Sequence, residues 1–300
     1  MPGGGTVGAP RRIAVVFPGQ GTQKPGMGIP WRDRPGWEIV DRLEATTGEP
    51  IGELLTEAPA ERLSRTREAQ LSVFATSLVA WAARRAELPE PVAFAGHSLG
   101  QLTALVAAGC LSIEAGAGLV LARAEATQAA ADAEPGRMVA LLGADLATAR
   151  AACAPAPERC WVANDNAPGQ VVLGGTPAGV EAASARARDL GVRKIVPLDV
   201  GGAFHTPMME PARQVLGPVF GGTPFAQPTA PVIHNGDARA HADDQWAERM
   251  ADQLVQPVRW RESVETMAAL GVGEVVEVGP GTTLTGLVHR TMPDLVVSAR

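Results

Sequence analysis

The residues best suited to chemistry in this sequence lie in the pentapeptide Gly-His-Ser-Leu-Gly at positions 96–100. It directly follows an apolar run, residues 92–95, and precedes a small-residue helical pattern from Leu99 to about Ala108. A serine between two glycines at a strand-to-helix turn projects its hydroxyl from the backbone, near the positive end of the helix. We therefore predict that Ser98 is a covalent nucleophile, although the pattern alone also fits a plain glycine-rich connection.

A serine nucleophile needs a base, and the sequence offers five histidines for that role. His97 adjoins the serine on the turn, so its ring should point elsewhere. His205 lies in the glycine-rich segment 201–207, which ends in a proline typical of a helix start. We therefore favour His205 over His234, His241 and His289.

A simple α/β-hydrolase fits this arrangement poorly. Such enzymes order their triad as serine, acid and histidine. The nearest acid before His205 is Asp199, which lies close to it in sequence, and a long strand-rich segment separates both from Ser98.

Composition restricts the class of protein. The 300 residues are 46% hydrophobic, which supplies ample core, and the net charge of −6 argues against a general nucleic-acid binder. No apolar run is long enough to span a membrane, and the start lacks the apolar core of a signal peptide. The three cysteines form no C-x-x-C pair, so we expect a reducing, cytoplasmic location and no zinc site.

The elements that position Ser98 and His205 follow an α/β order. The first part and the end of the chain predict strands at 13–17, 92–95, near Val232 and at 275–278, with helices at 37–55, 66–84, 113–132 and from Thr282. Between them, the pattern predicts a β-α-β-β-α-β unit at 138–142, 145–153, 160–163, 170–173, 177–190 and 192–198, with a loop over 164–169.

The predicted fold class is therefore α/β, with an α/β-hydrolase-like large subdomain built on a parallel sheet and an inserted ferredoxin-like small subdomain. We predict a flexible N-terminal tail at 1–12, the large catalytic subdomain at 13–136 and 200–300, and the small subdomain at 137–199. Because the chain starts at Met1 and ends soon after the last predicted strand, we expect a freestanding, monomeric protein.

Five ordered motifs together resemble one family. They are Phe-Pro-Gly-Gln-Gly-Thr-Gln at 17–23, the pentapeptide at 96–100, Asn-x-Asn-Ala-Pro-Gly-Gln at 164–170, Ala-Phe-His at 203–205 and Glu-Val-Gly-Pro-Gly at 277–281. In this order they closely resemble the malonyl-CoA:acyl carrier protein transacylase family, which includes the discrete fatty-acid enzyme and the acyltransferase domains of polyketide synthases. The resemblance extends from Ile13 to Ser298.

The resemblance implies a role for each matching residue. Ser98 matches the nucleophile and His205 its general base, which the family orients with a main-chain carbonyl; the matching position lies near Gln256, where the family usually has Asn. Gln20 and Leu99 match the residues whose backbone N–H groups form the oxyanion hole.

Arg123 matches an arginine that grips a free carboxylate on the acyl chain, a task suited to the two parallel hydrogen bonds of a guanidinium. On residue type alone, Arg123 also fits a snorkelling surface arginine. Gln70 and His97 match further positions of the substrate pocket.

Acyl selectivity is the least determined feature. Phe204 matches a residue that accompanies malonyl specificity because it crowds a branch at C2. Gly202 stands where the family often has His, and Thr127 where a bulkier Met is usual, so both departures predict a larger pocket and leave a branched acyl group open. Asn164 and Asn166 fit a structural turn better than a catalytic role.

The sequence thus predicts a transferase that moves malonyl from coenzyme A through Ser98 to an acyl carrier protein, without metal or organic cofactor. Two alternative enzyme activities are that of a transacylase between two carrier proteins and that of an acyl hydrolase. A third is a non-catalytic docking module, against which the intact site residues speak. An acidic carrier protein would bind a basic patch, for which the candidates are Arg186, Arg188, Arg193 and Lys194, although a solvated helix face is the favoured explanation for these four residues.

Overall fold

Two β-sheets organise the chain in the computed structural model, which describes residues 11–300. Most of the predicted flexible tail, residues 1–12, lies outside the described range. The strands are β1 Ile13–Phe17, β2 Ala93–Gly96, β3 Arg137–Leu142, β4 Cys160–Ala167, β5 Gln170–Gly175, β6 Lys194–Pro197, β7 Val232–Ile233, β8 Ala240–His241, β9 Glu274–Glu277 and β10 Val296–Ala299.

Helices cover the sheets and connect their strands. They are α1 Glu38–Thr47, α2 Ile51–Thr56, α3 Ala60–Leu63, α4 Thr66–Arg84, α5 Gly100–Ala107, α6 Ile113–Ala133, α7 Leu146–Cys153, α8 Pro177–Asp189, α9 Glu210–Gly221, α10 Trp246–Asp252, α11 Trp260–Ala269 and α12 Thr283–Thr291. Among residues 11–300, no helix is both long and apolar enough to cross a membrane.

The larger sheet has the strand order β10-β9-β1-β2-β7-β8, and all its pairs are parallel except β7 with β8. Every residue of β1 is buried. Alternate side chains of β1 enter two different cores: Ile13, Val15 and Phe17 enter one, and Ala14 and Val16 the other. Burial on both faces explains why β1 reads as a continuous apolar run.

The smaller sheet has the order β4-β5-β3-β6 with antiparallel pairs, and the chain runs through it as β3-α7-β4-β5-α8-β6. This is the predicted ferredoxin-like order, so the fold-class prediction of a parallel-rich sheet with a separate antiparallel sheet is confirmed. The subdomain limits at 137 and 199 stay a prediction.

Two local predictions were wrong. The helix predicted at 37–55 is two helices, because Gly48 ends α1 in the left-handed region (φ 69°) and Pro50 precedes α2. The loop predicted at 164–169 is mostly strand, because β4 continues through Ala167 with two irregularities in its register. A parallel bridge from Asn164 to Val258 joins this end of β4 to the chain that follows α10.

The carboxyl ends of β1 and β2 lie side by side, with Phe17 paired to Gly96. The turns that follow these two strands carry Gln20 and Ser98. In a parallel sheet, residues just beyond the carboxyl ends of neighbouring strands share one crevice. The register therefore explains how two motifs more than seventy residues apart come together.

Candidate active site

Ser98 occupies the tight turn between β2 and α5 and has a φ of 53°, an uncommon value for a residue with a side chain. A Cβ on Gly96 would overlap the carbonyl oxygen of Gly100, and one on Gly100 would overlap that of Phe17. Both flanking positions therefore require glycine. The strained turn presents the Ser98 hydroxyl at the start of α5.

The hydroxyl meets the predicted base directly. Ser98 Oγ lies 2.6 Å from His205 Nε2, and His205 Nδ1 lies 2.9 Å from the carbonyl oxygen of Gln253. The sequence placed the orienting carbonyl near Gln256, three residues too late, because residues 253–256 form a turn after α10 that spacing alone does not resolve. Since Nδ1 must donate to this carbonyl, Nε2 is the ring's acceptor in the neutral tautomer.

Burial lowers the pKa of His205 to about 3, and the positive charge of Arg123 lowers it in the same direction. The carbonyl of Gln253, and more weakly that of Gln256, oppose this shift. His205 is 4% exposed. The ring is therefore neutral at pH 7 and able to accept the serine proton.

Arg123 extends from the interior of α6 to the same hydroxyl, with Nη2 3.1 Å from Ser98 Oγ and Nη1 2.5 Å from Gln70 Oε1. Both partners are uncharged, and no carboxylate within residues 11–300 pairs with it. Burial lowers the pKa of Arg123 to about 10, which still leaves it charged at pH 7. Arg123 Nε and Gln70 Nε2 are buried with no hydrogen-bond partner among the described residues. A buried guanidinium beside a nucleophile, with no carboxylate partner among the described residues, is able to bind an anion.

The backbone N–H groups of Gln20 and Leu99 have no acceptor within the described part of the chain. Gln20 lies in the turn after β1 and lines the same cavity as Ser98. Leu99 immediately follows Ser98, and its side chain is fully buried, so only its backbone is presented. These two donors, one adjoining Ser98 and one in the turn after β1, fit the oxyanion hole implied by the family resemblance.

Asn235 holds the Ser98 turn from behind, and the sequence analysis missed it. Its Oδ1 accepts the Ser98 N–H at 2.8 Å, and its Nδ2 donates to the Gly96 carbonyl at 2.7 Å. Gln253 Nε2 donates to the same Oδ1 at 2.8 Å. One buried amide thus connects the nucleophile's turn to the residue that orients the base.

His97 points away from the base, as predicted. Its Nε2 lies 2.8 Å from Asn166 Oδ1, and its ring packs edge-on against Trp260 with centroids 5.6 Å apart. Burial lowers the pKa of His97 despite the bond to Asn166. The two side chains join the large sheet's turn to β4 across the cavity.

A cavity of about 210 Å³ connects these groups. Its lining comprises Pro18, Gly19, Gln20, Thr22, His97, Ser98, Arg123, Met138, Asn164, Asn166, Gln170, Val172, Leu198, Val200, Phe204, His205, Thr283, Leu284 and Leu287. Residues from both sheets contribute to it. The cavity is therefore a cleft between the two parts of the fold.

Four of the predicted pocket residues lie away from this lining. Gln70 is buried behind Arg123, and Gln256 lies beside Gly236. Thr127 is buried with its hydroxyl bonded to the Arg123 carbonyl at 2.7 Å, and Gly202 packs against Ala131. Neither Gly202 nor Thr127 borders the cavity, and the expectation that they enlarge the pocket stays a prediction.

Comparison with known proteins agrees with this geometry. A profile of the acyl transferase domain family matches residues 14–299. The chain belongs to this family. A relative in Bacillus subtilis (strain 168), named malonyl CoA-acyl carrier protein transacylase, is 36% identical over 289 residues, covering 93% of this chain and 90% of that protein. A relative of the same name in Escherichia coli (strain K12) is 36% identical and covers 96% and 95% of the two chains.

Solved structures extend the likeness to three dimensions. An acyl carrier protein S-malonyltransferase from Vibrio cholerae superimposes with a TM-score of 0.92 at 34% identity, covering 96% of each chain. A malonyl-transacylase solved in complex with its type II PKS acyl-carrier protein superimposes with a TM-score of 0.91 at 32% identity, again covering 96% of each chain. The likeness to these two structures therefore covers the fold over 96% of each chain.

Proposed function

We propose that this acyltransferase moves a malonyl group from coenzyme A to the phosphopantetheine thiol of an acyl carrier protein, through an ester on Ser98. The observation that carries the proposal is the buried Arg123 guanidinium, 3.1 Å from the Ser98 hydroxyl and without a carboxylate partner in the described chain. A dicarboxylic acyl group supplies that missing carboxylate while its thioester meets Ser98. The printed names of the relatives support the same substrates.

In the first half-reaction, Ser98 Oγ attacks the thioester carbonyl carbon as His205 Nε2 takes the hydroxyl proton. The oxygen that becomes negative accepts hydrogen bonds from the Gln20 and Leu99 N–H groups, each worth roughly 3 kcal/mol of barrier. When the C–S bond breaks, His205 returns its proton to the departing coenzyme A thiolate. The thiol leaves, and the acyl group stays on Ser98 as an ester.

The second half-reaction uses the same groups in reverse. His205 takes the proton of the phosphopantetheine thiol, and the resulting thiolate attacks the ester carbonyl. The C–O bond to Ser98 then breaks and Ser98 regains its proton from His205. The kinetics are therefore ping-pong.

The acyl pocket favours malonyl over larger groups. Phe204 lines the cavity beside His205, where its ring crowds a substituent at C2 of the acyl chain. Gly202 and Thr127 lie outside the cavity lining, so we expect Phe204 to have the larger effect on this selection.

This chemistry requires no metal or organic cofactor, since Ser98, His205 and the two backbone donors supply the nucleophile, the base and the charge stabilisation. We place the activity in the cytoplasm and on a monomer. The three buried cysteines, Cys110, Cys153 and Cys160, are free thiols, which suits a reducing compartment.

Intact-mass spectrometry after incubation with malonyl-CoA tests the proposal. The wild type and Ser64→Ala, a matched control at an exposed serine, should each gain one malonyl group, and Ser98→Ala should gain none. Adding holo acyl carrier protein should transfer the group to the carrier. Equal labelling of all three proteins refutes the nucleophile.

The same experiment separates the alternatives. Release of free malonate instead of loaded carrier indicates a hydrolase. Loading from an acyl carrier protein but not from coenzyme A indicates a transacylase between carriers. No loading from any acyl thioester indicates a non-catalytic docking module.

A further inference from the structure

A second polar cluster lies behind the active site, where β7 turns into β8. His234 directly follows β7, His241 ends β8, and Asp237 lies in the turn between them. The antiparallel pair Val232 and His241 brings the two histidines together. One side-chain nitrogen or oxygen from each of the three residues lies within 4.8 Å of the others.

The hydrogen bonding of His234 leaves one ring nitrogen without a partner. Its Nε2 lies 3.1 Å from the carbonyl oxygen of Arg249, so Nε2 carries the proton. Its Nδ1 is buried, makes no hydrogen bond among the described residues and lies 3.4 Å from Asp237 Oδ1. In the neutral ring this nitrogen turns a lone pair toward a carboxylate. A cation between the two atoms removes that repulsion.

The other two members complete a ligand set. His241 Nε2 lies 2.9 Å from Asp237 Oδ2, and His241 Nδ1 lies 3.9 Å from Asp243 Oδ2. Asp237 Oδ1 faces His234 Nδ1 and its Oδ2 faces His241 Nε2, so one carboxylate lies between the two rings. Histidine ligands to a metal usually have their other ring nitrogen held by a carbonyl or carboxylate, as the Arg249 carbonyl holds His234 here.

We propose that His234 Nδ1, His241 Nε2 and the Asp237 carboxylate bind a zinc-class divalent cation. Two imidazoles and one carboxylate suit zinc, at bond lengths of about 2.0–2.2 Å. Atoms at such distances from a tetrahedral centre lie roughly 3.3 Å apart. The 3.4 Å from His234 Nδ1 to Asp237 Oδ1 matches this value, and the 2.9 Å from His241 Nε2 to Asp237 Oδ2 would lengthen when an ion binds. The Asp237 side chain is 38% exposed, which gives the cation an entry path and leaves room for a water ligand.

The cation's place in the fold makes it a structural site for the catalytic turn. Asn235, which holds the Ser98 N–H, immediately follows His234. Arg249, whose carbonyl orients His234, lies in α10, and Gln253 follows that helix and orients His205. A metal at this cluster therefore fixes the two segments that support the nucleophile and the base. The sequence prediction of no metal weighed cysteine spacing and did not consider this group.

Metal binding to the purified, chelator-treated full chain tests the proposal. Zn²⁺ is measured by competition with a chromophoric chelator, and Co²⁺ by the visible absorption that imidazole coordination produces. We expect one ion per wild-type chain and a rise in Tm of about 5 °C at a hundredfold excess over Kd. His241→Asn and Asp237→Asn should lose binding, whereas His289→Asn, at an exposed histidine in α12, should retain it.

Circular dichroism of each variant without metal shows that it has folded, so that loss of binding is read only from folded protein. The proposal is overturned if the wild type binds neither ion, or if His241→Asn and Asp237→Asn bind as tightly as the His289→Asn control. It does not depend on the acyl substrate, because binding and Tm are measured without one.

Discussion

Removing the Arg123 guanidinium should change which acyl group this enzyme accepts more than it changes the chemistry. In the Arg123→Ala variant, a malonyl carboxylate enters a buried site with no cation to meet it. Gln70, the other polar group there, is uncharged and already behind Arg123. An acetyl group has no carboxylate and loses only the contact between Arg123 Nη2 and the Ser98 hydroxyl.

The Arg123→Ala substitution should cost more free energy with the malonyl substrate than with the acetyl substrate. Leaving one member of a buried ion pair without its partner costs about 3–5 kcal/mol, which corresponds to a fall of roughly 10²- to 10⁴-fold in kcat/KM for malonyl-CoA. The lost hydrogen bond to Ser98 costs about 1 kcal/mol. Removing the positive charge also raises the pKa of His205, which strengthens it as a base and offsets part of that cost. Discrimination between malonyl and acetyl should therefore fall by roughly a hundredfold or more.

Single-turnover acylation of Ser98 with malonyl-CoA and acetyl-CoA measures this ratio directly. Arg123→Lys should fall between wild type and Arg123→Ala, since an ammonium keeps the charge but lacks the paired donors. Arg188→Ala, at an exposed arginine of α8, is the matched control. If Arg123→Ala slows both substrates equally, Arg123 serves the nucleophile and not the carboxylate, and the proposed substrate class loses its support.

Three further predictions follow from the same contacts. Unfolded His205 binds a proton below about pH 6.5, whereas folded His205 binds one only near pH 3. Because the unfolded state binds more protons between these values, the free energy of unfolding should fall by up to about 1.4 kcal/mol for each unit by which the pH is lowered, measured by urea titration. His205→Gln should remove that part of the slope; an unchanged slope contradicts the pKa. Asn235→Ala leaves the Ser98 N–H without its acceptor and should lower the free energy of unfolding by about 2–4 kcal/mol and slow acylation at least roughly tenfold. Wild-type stability and wild-type acylation in this variant would contradict a supporting role for the Asn235 amide. Phe204→Ala should raise the acylation rate with methylmalonyl-CoA relative to malonyl-CoA, and an unchanged ratio would remove the crowding argument.

Local sequence patterns predict the structure correctly in segments whose own residues determine their conformation. The apolar run at 13–17, the long helices α4 and α6 and the order of the small sheet all follow from burial and periodicity. The Ser98 turn follows from steric demand, since a Cβ at either flanking position would overlap the backbone and only glycine fits.

Prediction failed where distant contacts override local preference. Asn164, Asp165 and Asn166 are poor strand formers, yet they lie in β4. β5 pairs with Asn164 and Asp165, and Arg261 binds the Asp165 carboxylate at 2.9 Å. The segment after Val232 contains four further elements that the sequence pattern did not reveal: β8, α10, α11 and β10. The supporting residue Asn235 lies 137 positions from Ser98 and carries no motif of its own.

The backbone at both reacting residues shows what this support is for. Ser98 and His205 have φ values of 53° and 61°, and each such conformation costs on the order of 1–3 kcal/mol. Neither backbone conformation would persist without several surrounding contacts that hold it in place. Asn235 fixes the Ser98 turn through two hydrogen bonds, and Gln253 fixes the His205 ring while bonding to Asn235. The nucleophile and the base are thus held at 2.6 Å by one shared buried network, which makes substitutions at either support affect both groups together.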